Sequence, residues 1–200
     1  MLYTFNHEEL SNTYLYIKKD SCFLVDPSHS YDQILEKIEG KELKFILLTH
    51  AHYDHIGLIH KFSVPIYIGK DEVEILFDPS YNYSPRKLPF DEKTLNLRKV
   101  IDKDIIEFEN EKIQVIETPG HTKGSICYLI NIFLFSGDTL FHLDVGRTDL
   151  KTGSTVDLVK SIKKLMRLNE KIKVFPGHEE SSSIGEERNN NEFYLKYKGR

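Results

Sequence analysis

The run His50-Ala51-His52-Tyr53-Asp54-His55 follows the apolar stretch Phe45-Ile46-Leu47-Leu48 after a single threonine, and this junction decides how the chain is read. Four apolar residues between polar flanks predict a buried strand. In an extended backbone alternate side chains share a face, so His50 and His52 can address one ion, while the following turn aims Asp54 and His55 elsewhere. One short segment can therefore serve two metals. The bland alternatives are a solvated histidine-rich loop and a single structural metal site. Imidazole suits zinc or iron, and four donors packed together without a metal would leave costly unsatisfied polar groups.

Three later residues share the same context. His121 lies in Thr118-Pro119-Gly120-His121-Thr122, where Pro and Gly force a turn after a predicted strand over residues 112–117. Asp138 lies in Ser136-Gly137-Asp138-Thr139, after an apolar strand, and His178 follows Phe175-Pro176-Gly177, after the last predicted strand. Each alone would read as a cap or a surface residue. Together they put every donor at strand ends along one edge, the arrangement a metal pair needs.

Working outward, residues 12–17 and 22–25 predict a strand pair around the polar turn 18–20, and Ser30 is placed to cap a helix over 31–38 that Gly40 ends. A helix is expected over 55–62, a strand over 65–68 and a helix over 71–76. Residues 78–99, rich in Pro, Tyr, Asn and charge, read as a long surface loop, a candidate lid through Tyr81, Tyr83, Pro85, Pro89 and Phe90. Strands follow over 105–108, 112–117, 125–130 and 133–135, then a helix over 155–168, a strand over 173–175 and a polar tail with a short helix. Two batches of strands, each followed by helices, suggest two sheets with helices outside.

The chain's 200 residues suit one domain over 1–200. With 40% hydrophobic and 29% charged residues it reads as an ordinary globular protein, and a formal charge of -4 argues against nucleic acid as a partner. No run of about 18 apolar residues is present and the start lacks a basic-then-apolar pattern, so no membrane association and a cytoplasmic location are expected. The two cysteines, Cys22 and Cys127, lack metal-type spacing and sit in apolar runs, so both are expected to be buried packing residues.

The segments 50–55, Pro119-Gly120-His121-Thr122, Gly137-Asp138-Thr139-Leu140-Phe141 and Pro176-Gly177-His178 resemble the metallo-β-lactamase superfamily over nearly the whole chain. Within it, the Gly137–Phe141 run and Gly146-Arg147-Thr148-Asp149 resemble the glyoxalase II branch, the hydroxyacylglutathione hydrolases, particularly its short bacterial members. The resemblance implies an α/β fold, a four-layer αββα sandwich. It implies His50, His52 and His121 on a first metal, Asp54, His55 and His178 on a second, and Asp138 bridging. It also aligns Arg147 with a basic residue that helps bind the thiol part of the substrate, while Asp149 stands where longer enzymes have tyrosine.

The chemistry expected of such a site is hydrolysis of a small-molecule thioester, such as an S-2-hydroxyacyl thiol. Two divalent ions, zinc first with iron or manganese accepted by the same donors, would lower the pKa of a shared water so that it attacks the carbonyl. Asp54 would also orient that water, and Tyr53, between ligands, is placed to reach the substrate carbonyl. The rivals on this fold are a mononuclear-iron persulfide dioxygenase and a lactonase. A β-lactamase would carry an export signal and a tRNA-processing nuclease a basic surface. Among the other histidines, His60 should face away from the metals, and His7, His29 and His142 have no comparable support. The sequence leaves the oligomeric state open.

Overall fold

Two six-stranded mixed sheets organise the chain, one in each of two compact units, Met1–Val100 and the remainder from Ile101. The structure is a computed structural model that describes residues 1–199.

The first unit contains β1 (Leu2–Phe5), β2 (Thr13–Lys18), β3 (Ser21–Val25), β4 (Glu42–Leu47), β5 (Ile66–Gly69) and β6 (Leu97–Val100), in that spatial order. The first three strands are antiparallel neighbours, whereas β3, β4, β5 and β6 run parallel to one another. All five residues of β3 are buried, as are Phe45, Ile46 and Leu47 at the end of β4, which explains their near-continuous apolar character. Leu15, Leu24, Ile34, Ile46, Ile56 and Ile68 belong to the core of this unit. Each such side chain contributes about 1.5–3 kcal/mol through burial.

The second unit contains β7 (Ile105–Phe108), β8 (Glu111–Glu117), β9 (Ile126–Ile130), β10 (Phe133–Gly137), β11 (Lys173–Pro176) and β12 (Ser182–Ser183). Its strands lie in the order β12-β11-β10-β9-β8-β7. The β10–β11 pair is parallel; the β7–β8, β8–β9 and β9–β10 pairs are antiparallel, so β8, β10 and β11 end at the same edge. Its one long helix, Thr155–Leu165, starts where the Ser154 side chain accepts from the Asp157 N–H, and buries Leu158, Ile162 and Leu165 against Ile116, Cys127 and Val174.

Several local expectations change. The helix expected over 55–62 is two 3₁₀ turns, Tyr53–His55 and Ile59–Lys61. The intervening backbone is held by the loop after β3: the Leu58 N–H donates to the Pro27 carbonyl, and a Cβ on Gly57 would stand 2.5 Å from the Ser28 carbonyl oxygen. That competition removes the helical ladder. Ser30 precedes α1 (Tyr31–Lys37) but makes no side-chain cap; it sits at φ 62° with its hydroxyl 2.6 Å from His29 Nδ1. The helix expected over 71–76 forms as α2 (Val73–Phe77) behind a 3₁₀ turn, Lys70–Glu72.

The stretch 78–99 is not one loop. Asp78 caps α3 (Pro79–Asn82) by accepting from the Ser80 N–H, and the end of the stretch enters β6. Between them Leu88, Phe90 and Leu95 pack against the core of the first unit. The helix expected to 168 ends at Leu165. The edge strands β1 and β12 and the tail helices Ile184–Asn190 and Glu192–Tyr197 complete the elements. Cys22 and Cys127 are buried free thiols, each pushed up to about 11 by burial. No helix among the described residues is long and apolar enough to cross a membrane.

Candidate metal centre

In the first unit the functional side chains gather at the carboxyl ends of parallel strands, where open α/β sheets offer ligand sites. Asp26 follows β3 and the 50–55 run follows β4. Asp26 adopts φ 46°, a conformation Asp tolerates better than most residues. This turn brings its carboxylate to three donors: the Thr49 N–H at 2.8 Å, the Thr49 hydroxyl at 2.6 Å and His55 Nδ1 at 2.9 Å. Asp26 and His55 are both buried.

The tautomers follow from these bonds. A carboxylate only accepts, so His55 donates from Nδ1 and turns Nε2 forward. The Thr49 proton goes to Asp26, so the His50 Nδ1–H, 3.2 Å away, donates to the Thr49 hydroxyl oxygen and leaves its own Nε2 as the acceptor. His50 and His52 offer ring nitrogens within 4.8 Å of each other, as do His50 and His55, and Asp54 and His55 offer a donor pair at the same range. The rings of His50 and His55 lie 4.0 Å apart. The backbone changes within the 50–55 run: the 3₁₀ turn Tyr53–His55 takes over after His52, which is itself extended at φ -64°, ψ 149°.

In the second unit three strand ends supply one donor each: His121 after β8, Asp138 after β10 and His178 after β11. His121 Nε2 stands 3.5 Å and His178 Nε2 3.7 Å from Asp138 Oδ2. His121 is oriented from behind, donating from Nδ1 to the Arg147 carbonyl at 2.9 Å. The Gly177 N–H donates to the Gly137 carbonyl, tying the β10 and β11 exits together. Gly146 is required here: a Cβ would overlap the Asp138 carbonyl oxygen and stand 3.2 Å from His121 Nδ1.

These donor sets fit divalent metal ions. Buried imidazoles grouped with a carboxylate, with the far ring nitrogen fixed by a hydrogen-bond acceptor, are the usual construction of such ligands.

The sequence pattern of the Metallo-beta-lactamase superfamily matches residues 8–178, which include all seven donors. The chain belongs to this superfamily. Its similarity to a "probable metallo-hydrolase" of Streptococcus pyogenes serotype M6 is 32% identity over 96% of this chain and 88% of the relative. A "probable polyketide biosynthesis zinc-dependent hydrolase" of Bacillus subtilis is 32% identical over 86% of this chain and 75% of its own length. Among solved structures, the BLEG-1 B3 metallo-β-lactamase superimposes with a TM-score of 0.86 at 30% identity, covering 97% of this chain and 99% of that one. TTHA1623, solved in a di-iron-bound form, gives 0.79 at 27% identity over 96% and 99%. Two mixed sheets with helices are what the superfamily fold requires, so the chain is a metallo-hydrolase-type α/β protein carrying His/Asp groups that can hold metal.

Other assigned residues have mixed placements. Tyr53 is 39% exposed. The Arg147 side chain is exposed and engaged in a two-pronged ion pair with Asp149, at 2.7 and 2.8 Å, which draws the Asp149 carboxyl down to about 2. His60 stacks with Phe90 at 5.9 Å, and burial lowers its pKa. His142 lies between Glu180 and Glu186. Asp26, Thr49 and Glu72 escaped the sequence reading. Asp26 had a usable signal, since Val25-Asp26 places it at the end of an apolar strand as Ser136-Gly137 does Asp138. Thr49 and Glu72 act through backbone and hydroxyl bonds that no spacing rule exposes.

Proposed function

We propose that this chain is a binuclear metal-dependent hydrolase that cleaves a small thioester, such as an S-2-hydroxyacyl thiol, to an acid and a free thiol. His50, His52 and His121 would hold the first ion, Asp54, His55 and His178 the second, and Asp138 would be shared between them. The observation that carries the reading is that His50, His55 and His121 each have Nδ1 fixed from behind, leaving Nε2 as the ligand atom. Superfamily membership and the zinc-dependent and di-iron relatives support a metal pair, with zinc the first expectation.

Two such ions, when bound, lower the pKa of water toward neutrality and polarise a carbonyl oxygen. The chain's own groups then orient the reaction. Asp54 accepts a hydrogen bond from the attacking water and aligns its lone pair. The Tyr53 hydroxyl, on an exposed side chain, donates to the substrate carbonyl. Arg147, held by Asp149, offers its remaining N–H groups to the thiol portion of the substrate, and the 78–99 stretch covers the acyl or thiol group as a lid.

Metal quantification on purified protein, together with assays on thioesters, lactones, phosphodiesters and β-lactams, tests this reading. The expected result is two ions per chain and thioester cleavage without oxygen uptake. One iron with oxygen consumption, or turnover confined to lactones or β-lactams, would replace it.

A further inference from the structure

Glu72 is fully buried, although it stands in the 3₁₀ turn that opens toward α2, where a glutamate would ordinarily reach solvent. Its Oε1 accepts from the backbone N–H of Ala51 at 2.9 Å. Ala51 is the residue between His50 and His52. Burying a carboxylate costs several kcal/mol, and an apolar side chain of similar volume commonly serves stability as well or better. Packing therefore gives no reason for an acid at this position.

The strand order supplies one. β4 and β5 are parallel neighbours, so the turn after β5 comes beside the turn after β4. Asp26 reaches the same segment from the β3 side, through Thr49 and His55. The segment 49–55 is thus held from the two strands that flank β4, at Thr49 and His55 by Asp26 after β3 and at Ala51 by Glu72 after β5. Neither acid is near enough in sequence to be part of the ligand run.

We infer that Glu72 is a positioning residue for the metal centre: by fixing the Ala51 peptide it sets the directions in which His50 and His52 present their nitrogens. This rests on the metal-site reading above. The requirement is an acceptor oxygen at this point, so the Glu72→Gln amide oxygen can replace it, whereas Glu72→Ala leaves the Ala51 N–H without its bond.

The test is zinc affinity of the full chain by competition with a chromophoric chelator, measured on folded protein verified by circular dichroism. Glu72→Ala should weaken binding by about 10–100-fold, the usual cost of removing a group that orients a ligand. Glu72→Gln should restore most of that loss. Ile75→Ala, a cavity at a fully buried position of α2, should lower the denaturation midpoint while leaving zinc affinity within about threefold of wild type, below the range for orienting groups. Should Glu72→Ala fail to fold, Glu72→Gln and Glu72→Leu decide: Leu must weaken zinc binding where Gln does not. Wild-type affinity in Glu72→Ala or Glu72→Leu, or equal losses in these and Ile75→Ala, overturns the inference while the metal site stands. A wild-type chain that binds no zinc, iron or manganese overturns both.

Discussion

The two units build their donors in opposite ways. The first spends six consecutive residues, His50 to His55, on four donors and then braces that one segment from neighbouring strand ends with Asp26 and Glu72. The second contributes a single donor from each of three strand ends, β8, β10 and β11, and braces them with backbone: the Arg147 carbonyl behind His121, the Gly177–Gly137 bond and the close approach of Gly146. A contiguous run needs side chains brought to it to fix its turn. Dispersed donors inherit their positions from sheet register and need only the strand exits to be correct.

The contrast can be broken most forcefully at the donors themselves. His52→Ala in the first unit and Asp138→Ala in the second should both remove metal and activity together, by about a thousandfold or more given the several kcal/mol that metal activation supplies. Full activity in either variant would contradict the assignment.

The supports should separate the units at the next level. Asp26→Ala strips a buried acceptor from Thr49 and His55 and should cost about 3–5 kcal/mol in denaturant unfolding of the metal-free chain. Gly146→Ala acts differently, by pushing on the Asp138 carbonyl, and should weaken zinc binding by about 10–100-fold. If Asp26→Ala leaves stability unchanged, the first unit is not braced as described.

The 50–55 run was legible because its donors are local, and alternation in an extended backbone is visible in a string of letters. His121, Asp138 and His178 were legible only as turn residues after apolar runs; that they share one edge depends on β8, β10 and β11 pointing the same way, which is a fact of topology. The helix expected over 55–62 failed because Leu58 bonds to the loop after β3 and Gly57 packs closely against it, a partner about thirty residues distant that no local periodicity reports. Residues 78–99 concealed β6 because Leu97 to Val100 is half polar and pairs along one side only, with β5. Ser30 had the right residue type for a cap but the wrong backbone, being committed to His29.

A smaller effect lies away from both donor sets. Desolvation works against the charged form of His142, but its hydrogen bond to Glu186 and the charges of Glu180, Glu186 and Glu187 outweigh it and raise its pKa above 6.5. A raised folded-state value means that the ion pairs stabilise below about 6.5 and that this contribution fades as pH climbs through the higher folded value. His142→Ala should therefore lower the melting temperature more at pH 5.5 than at pH 8.5. The loss should stay within about 1 kcal/mol for a pair so exposed. An equal loss at both pH values would show that His142 acts by packing.

Anomalous diffraction at the zinc edge, from crystals of the metal-loaded chain, bears most directly on the central claim. Two peaks about 3.5–4 Å apart are predicted, with Asp138 among their ligands. Metal confined to the His50–His55 run, or a single ion not ligated by Asp138, would contradict it.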